Sequence, residues 1–202
     1  MKEGIVVKTI QNEDETIIFR YPRWQDVPEY VEMCNILHGE RVMAYHMETD
    51  FSRGCERLSG ILVGLETENC SHLLVEADGK IIGEGSIKRG SAHQPGSLGI
   101  KIIGRYRRRG LGTEMMYLLE AEALKLGLER IYLVAWSLNT PAIHLYKKVG
   151  YREVGRMPDW FGAKDEKGEL ILSDRIDMIK DIEESDPTPQ SATADHYPEE
   201  RR

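Results

Sequence analysis

The stretch Arg107-Arg108-Arg109-Gly110-Leu111-Gly112-Thr113 constrains this chain more than any other, because of what flanks it. Before it runs an apolar strand candidate, Leu98 to Ile103, and after it an amphipathic run, Glu114 to Leu126. A strand that enters a helix through a glycine-bearing turn aims several backbone N–H groups at one point, where the helix dipole adds partial positive charge. Gly110 and Gly112 carry no Cβ, so backbone can approach a ligand closely, and three arginines bring full charges to the same mouth. Such a turn is an anion cradle, and a diphosphate is its expected guest. The bland alternative is a solvated helix start beside basic residues.

Two named phosphate loops fail on spacing. A Walker loop ends in Gly-Lys-Ser/Thr, whereas Gly112 is followed directly by Thr113. A dinucleotide fingerprint wants a third small residue where Met115 stands, and an acidic residue at the end of the next strand, where this chain has Ala135-Trp136. The balance of 27 basic against 34 acidic residues, net −7, argues against nucleic acid as the main partner. Cys34, Cys55 and Cys70 lie far apart with no metal-binding spacing, so no metal is expected and the thiols read as buried or spare. Met1-Lys2-Glu3-Gly4 lacks a signal pattern, and no apolar run approaches the roughly 20 residues of a membrane span. The expectation is a cytoplasmic protein without a membrane partner.

The order Arg-x-x-Gly-x-Gly, a helix, a strand, and then Asn-x-x-Ala-x-x-x-Tyr-x-x-x-Gly-Tyr resembles the Gcn5-related N-acetyltransferase family. Arg107 to Gly112 supplies the first part; Asn139, Ala142, Tyr146, Gly150 and Tyr151 supply the second. The resemblance covers roughly 14–180. It implies an α/β acyl-CoA N-acyltransferase fold, with a mixed, mainly antiparallel sheet flanked by helices. It also implies acetyl-CoA as cosubstrate and an amine acceptor, either a small molecule or a protein amine. A homodimer is left open.

Residues 1–180 are expected to form one domain that opens with a hairpin at 4–20, in which Ile5 to Ile10 and Thr16 to Arg20 flank a polar turn. Asp26-Val27-Pro28-Glu29 has a capping pattern and predicts a helix from about Pro28 to His38; a second runs from after Asp50 to about Leu65. His72 to Ala77 and Lys80 to Lys88 read as strands joined by the tight turn Asp78-Gly79. Gly83 and Gly85 could mark a bulge or a close ligand, ordinary backbone geometry being preferred. Ile131 to Trp136 is a continuous apolar run, as in a strand covered on both faces, and Thr140-Pro141 opens a helix ending at Gly150. Strands near Tyr151 to Gly155 and Leu170 to Ile179 close the sheet, with 156–169 as a long connection able to act as a lid or wall. Residues 181–202, acidic and rich in Ser, Thr and Pro, read as a disordered tail.

Acetyl transfer needs a neutral amine, a stabilised oxyanion and a proton for the departing thiolate. By the resemblance, Tyr146 is the general acid; its alternative reading is a tyrosine packed on a helix. Asn139 then contacts the cofactor, unless it merely caps the helix at Thr140. The backbone of Ile100, Lys101 and Ile102 aligns with the segment that grips pantetheine and the acetyl carbonyl, and Arg107, Arg108, Arg109, Gly110, Leu111, Gly112 and Thr113 with the diphosphate loop. Several relatives carry a glutamate base five residues before the asparagine, where this chain has Val134. Glu84, His93 and His144 are weak substitutes. Asp159, Asp165, Glu166, Asp174 and Asp177 could attract a cationic amine or simply form a solvated acidic face. A non-catalytic acyl-CoA-binding module, or an enzyme using a longer acyl donor, remains as a rival reading.

Overall fold

One eight-stranded sheet carries the chain: β1 (Val6–Gln11), β2 (Thr16–Arg20), β3 (Cys70–Ala77), β4 (Lys80–Lys88), β5 (Gly96–Ile102), β6 (Arg130–Trp136), β7 (Arg152–Lys164) and β8 (Leu170–Asp181). The structure, a computed structural model, describes residues 2–11, 15–40, 48–91, 93–164 and 169–183. In space the strands lie in the order β1-β2-β3-β4-β5-β6-β8-β7, antiparallel throughout except where β5 meets β6. Four helices pack against the sheet: α1 (Val27–Gly39), α2 (Phe51–Glu66), α3 (Leu111–Lys125) and α4 (Thr140–Lys148). This is the mixed, mainly antiparallel α/β fold that the sequence implied.

The two faces can be told apart at neighbouring residues of β4, since successive side chains point to opposite sides of a strand. Glu84 accepts a hydrogen bond from the Tyr30 hydroxyl of α1. Gly85 faces α3, where an added Cβ would lie 2.6 Å from Met115 Sδ and 2.9 Å from Leu119 Cδ1. So α1 and α2 cover one face over β3 and β4, here called the front, and α3 covers the back from β3 to β5. Close approach of helix and sheet therefore accounts for Gly85, and the preference for ordinary geometry there is corrected. A bulge also exists close by: Val75 pairs with Gly83 but Glu76 with Ile81, leaving Ile82 as the extra residue.

Most element boundaries fall within a few residues of expectation, and the departures have local causes. Asp26 does not cap α1 with its side chain. It accepts instead from Arg23 N at 2.6 Å, capping the preceding 3₁₀ turn Trp24–Asp26, and pairs bidentately with Arg20 at 2.7 and 2.9 Å. The expected connection 156–169 is largely strand. β7 runs on to Lys164 after a register break in which Met157 pairs with Arg175 and Phe161 with Ser173. Pro158, Asp159 and Trp160 stand opposite a single residue; Asp159 takes φ +52 and donates its N–H to Asp174 Oδ1 at 3.2 Å. Phe161 then stacks on Trp136 at 4.9 Å, returning the strand to the sheet. The turn-like composition thus marks a bulge rather than a lid.

At the far end Asp181 pairs with Arg130 and Ile182 is buried. The remainder of the expected tail, like the hairpin turn at 12–14, lies outside the described residues.

Gly85→Val should lower stability by about 1–3 kcal/mol, since the new side chain must displace Met115 and Leu119 from a filled core. Thermal or urea unfolding would measure it, and an unchanged midpoint would contradict the close-packing account.

Candidate active site

The site begins where two strands part. β5 pairs with β4 from Ser97 through Ile102, but with β6 only at Gly96↔Ile131 and Ser97↔Tyr132. Beyond that point β6 follows β8 over its whole length. The β6-facing backbone of Leu98 to Lys101 is left without a ladder partner, and unpaired strand edges are ready acceptors for an extended, amide-bearing ligand. Ile100 and Lys101 lie on this edge. The carbonyl of Ile102 is already taken, by Arg107 Nε at 2.7 Å.

The chain then turns through a 3₁₀ segment, Gly104–Tyr106, into the glycine loop. Arg108 and Gly110 both adopt positive φ, +58 and +81, which winds the backbone tightly before α3 starts at Leu111. α3 begins three residues earlier than the amphipathic pattern suggested, so Leu111, Gly112 and Thr113 form its first turn. Their N–H groups have no carbonyl one turn back, and the first intrahelical bond belongs to Glu114 N–H, donated to Gly110 O at 3.1 Å. A Cβ at Gly112 would stand 3.1 Å from Leu145 Cδ2 and 3.9 Å from Ile100 Cδ1. Gly112 is therefore where α3, α4 and β5 converge.

The three arginines divide. Arg107 bonds Glu40 as well as the Ile102 carbonyl, tying the loop to the end of α1. Arg109 donates to Glu15 at 2.5 Å and lies over the Tyr106 ring at 5.0 Å. Arg108 is exposed and forms no ion pair among the described residues. The positive character of the cradle thus comes mainly from backbone amides plus Arg108, with Arg107 and Arg109 holding the loop in shape.

Asn139 caps α4, its Oδ1 accepting from Ala142 N at 3.3 Å. Tyr146, two turns on, is 7% exposed, and its ring lies 6.2 Å from that of Tyr151. No hydrogen bond holds its hydroxyl among the described residues, and burial pushes its phenol up to about 12. The hydroxyl stays protonated across the neutral range.

Of the alternative bases, Glu84 is the best placed and the least available. Its Oε2 accepts from Tyr30 at 2.9 Å and lies 3.0 Å from His72 Nε2, while Oε1 accepts from Lys101 Nζ at 2.9 Å. Burial alone would raise this carboxyl, but His72 and Lys101 overcome it and hold the group well below the usual carboxylate range. A carboxylate so engaged is a weak base. His93 sits in the β4–β5 connection, before the strands part, and His144 is exposed on α4. The acidic residues around the last hairpin are not a free solvated face either: Asp174 bonds Arg156 and the Asp159 N–H, and Asp177 bonds Tyr132 and Arg175. Asp165 and Glu166 fall outside the described residues. Sequence reasoning missed the roles of Glu40 and of Tyr30 on α1, for which no motif signals one, and that of His72, which pairing of β3 with β4 could have suggested.

Comparison with known proteins agrees with this layout. The model of the acetyltransferase (GNAT) family matches residues 30–151, from α1 through the Gly150-Tyr151 turn. An acetyltransferase of the GNAT family from Streptococcus pneumoniae superposes with a TM-score of 0.70 at 25% identity, covering 82% of this chain and 99% of that one. The microcin C7 self-immunity acetyltransferase MccE, solved in complex with acetyl-CoA and AMP, gives 0.68 at 18% identity, over 82% and 92%. An N-alpha-acetyltransferase from Sulfurisphaera tokodaii is 40% identical over 57 residues, which span 27% of this chain and only 34% of that protein. With the matched family region spanning more than half its length and including the cradle, the parted strands and Tyr146, the chain belongs to the acetyltransferase (GNAT) family.

Proposed function

We propose that this protein transfers an acetyl group from acetyl-CoA to a primary amine by direct attack. The observation that carries this reading is the convergence at Gly112: the open edge of β5, the free amides of α3 and the α4 helix bearing Tyr146 meet there. The amides of Leu111, Gly112 and Thr113, with Arg108, bind the diphosphate; the backbone of Ile100 and Lys101 accepts the amide-bearing arm as another strand would. Tyr146 gives its proton to the thiolate as the carbon–sulfur bond breaks. The acceptor is a small-molecule or protein amine. The name of the Sulfurisphaera relative makes peptides with free N-termini a natural part of any acceptor panel.

Direct attack is favoured because two of the three thiols are buried and the third, Cys55, lies half-buried on α2, the helix over β3. Cys34 and Cys70 are buried, and burial pushes the Cys70 thiol up, away from the thiolate form. Intact mass after mixing with acetyl-CoA alone should show no added acetyl group, and a stable adduct on cysteine would contradict the direct route.

Release of free CoA thiol across a panel of amines tests the activity itself. Amine-dependent release is expected; acetyl-CoA binding without release would instead favour a non-catalytic binding module, and release only from longer acyl thioesters a different donor. Gly112→Glu, which sets a carboxylate where backbone should meet diphosphate, should weaken acetyl-CoA binding at least tenfold in calorimetric titration while the protein stays folded.

Tyr146→Phe keeps the ring and removes the donor. Stability and acetyl-CoA affinity should hold while kcat falls by roughly 10²–10⁴, the usual span for a general acid. Because the acid form is the working form and its pKa is about 12, wild-type kcat should show no decline from this group up to about pH 10. Wild-type turnover by the variant, with chemistry limiting, would reduce Tyr146 to packing.

A further inference from the structure

Glu40 stands where two fields oppose a negative charge. It closes α1, continuing the helical backbone with φ −74 and ψ −7 and donating its N–H to Ile36 O at 3.0 Å. Its carboxylate therefore belongs to the negative end of the helix dipole. It also reaches across 64 residues of sequence to the loop that leads into the proposed diphosphate site. Neither place suits an acid, and a carboxylate found at both is held there by its contacts.

Those contacts use both oxygens. Oε1 accepts from Gly104 N at 2.6 Å and Oε2 from Arg107 Nη2, while Arg107 donates from Nε to the Ile102 carbonyl at 2.7 Å. One carboxylate thus grips the first residue of the 3₁₀ turn, the residue just after that turn and, through Arg107, the end of β5. Gly104 makes room for it. A Cβ there would lie 2.9 Å from Oε1 and 3.3 Å from Cδ, and the three heavy atoms nearest to it all belong to Glu40. Gly104 is not among the glycines with positive φ, so its missing side chain serves space rather than backbone conformation. Arg108 and Gly110, both at positive φ, follow directly, and the turn into the first amides of α3 is wound from a fixed point.

We infer that Glu40 is a positioning residue for the diphosphate of acetyl-CoA, one that strengthens binding of the anion although it is itself negative. This rests on the acetyl-transfer reading above. By pinning residues 104–107 it orders the loop before the ligand arrives, and order already in place lowers the cost of binding. Its own charge is offset by the guanidinium it holds. Simple electrostatics gives the opposite expectation: a carboxylate near an anion site repels the anion, so removing it, and freeing Arg107 in the process, would tighten binding. The two accounts differ in sign.

Calorimetric titration with acetyl-CoA decides the sign. Glu40→Ala should raise the dissociation constant by about tenfold, and KM for acetyl-CoA with it, while kcat at saturating acetyl-CoA and KM for the amine stay within about twofold. Unchanged or tighter binding would overturn the inference, as would a fall in kcat at constant KM. Gly104→Val keeps the charge but fills the space that the carboxylate occupies, so it should repeat the loss in the wild-type background and add less than about twofold to it in the Glu40→Ala background. Binding as tight as wild type, or an equal loss in both backgrounds, would mean that Glu40 positions nothing. Glu32→Ala removes an acid from the same helix, one bonded to Lys80, and should leave the dissociation constant within about twofold; a loss equal to that of Glu40→Ala would assign the effect to the charge of α1 and also overturn it. Should Glu40→Ala fail to fold, Glu40→Gln keeps an oxygen for Gly104 N but turns an amide NH₂ toward Arg107. It should weaken binding by about threefold or more, and a folded variant that binds as tightly as wild type would refute the inference. A wild-type protein that does not bind acetyl-CoA would sink the acetyl-transfer reading and this one with it, whereas wild-type binding and turnover matched by Glu40→Ala would sink this one alone.

Discussion

β5 and β6 share two paired residues and then separate, and the rest of the site depends on that separation. β6 is bound to β8 from Arg130 to Trp136, and β5 to β4 from Ser97 to Ile102, so each strand follows the twist of its antiparallel partner. The parallel contact between them is the weakest seam in the sheet, and it opens. An open seam inside a sheet leaves backbone donors and acceptors unpaired, a cost tolerated only where ligand or water satisfies them. Gly112 then lets α3 and α4 come together over the gap, where any larger residue would press on Leu145. Strand edge, the start of α3 and α4 become neighbours through one geometric fact.

Charge in the cradle follows a division of labour that composition alone would misjudge. Side-chain charges can be captured by neighbouring carboxylates, and Glu40 and Glu15 capture Arg107 and Arg109. Backbone amides at a helix start cannot be diverted in that way, because their direction is set by the helix itself. In the proposed diphosphate site the anion would therefore rest on the amides of Leu111, Gly112 and Thr113, with Arg107 and Arg109 tied to Glu40 and Glu15. Arg107 shows this most directly, joining the end of β5 to the end of α1 across a sequence separation no local pattern would reveal.

Much of the fold was legible because local signals and burial agree. The strands expected at β3, β4 and β6, the helix start after Asp50 and the apolar stripe of α3 each survive into the structure, although β6, expected to be covered on both faces, is buried on one only. Where they failed, a long-range partner decided the outcome. Asp26 looked like a helix cap until Arg20 claimed its carboxylate, and Pro158-Asp159 looked like a loop until Phe161 found Trp136. Glu120 and Glu122, of which the sequence analysis made nothing, sit in α3 and are both buried. Glu122 accepts from Tyr21 and Ser71 at 2.5 and 2.7 Å, and Glu120 accepts from Lys180. In the candidate site the motif residues were findable by spacing, whereas the state of each charged group was not, since that depends on register across strands.

Two carboxylates occupy the front face on opposite banks of the gap, and each is already bonded to its neighbours. Glu84 has donors or a nearby cation at both oxygens, so taking a proton would break contacts it already makes. Asp177 takes its donors on Oδ1, from Tyr132 and Arg175, and its Oδ2 lies on the β7 side beside Gly155. Tyr146 belongs to α4, which meets α3 at the back of the sheet, so the proposed acid is carried on the face opposite Glu84 and Asp177. An acyl group held in that gap would meet its nucleophile from the front and release its thiolate toward the back.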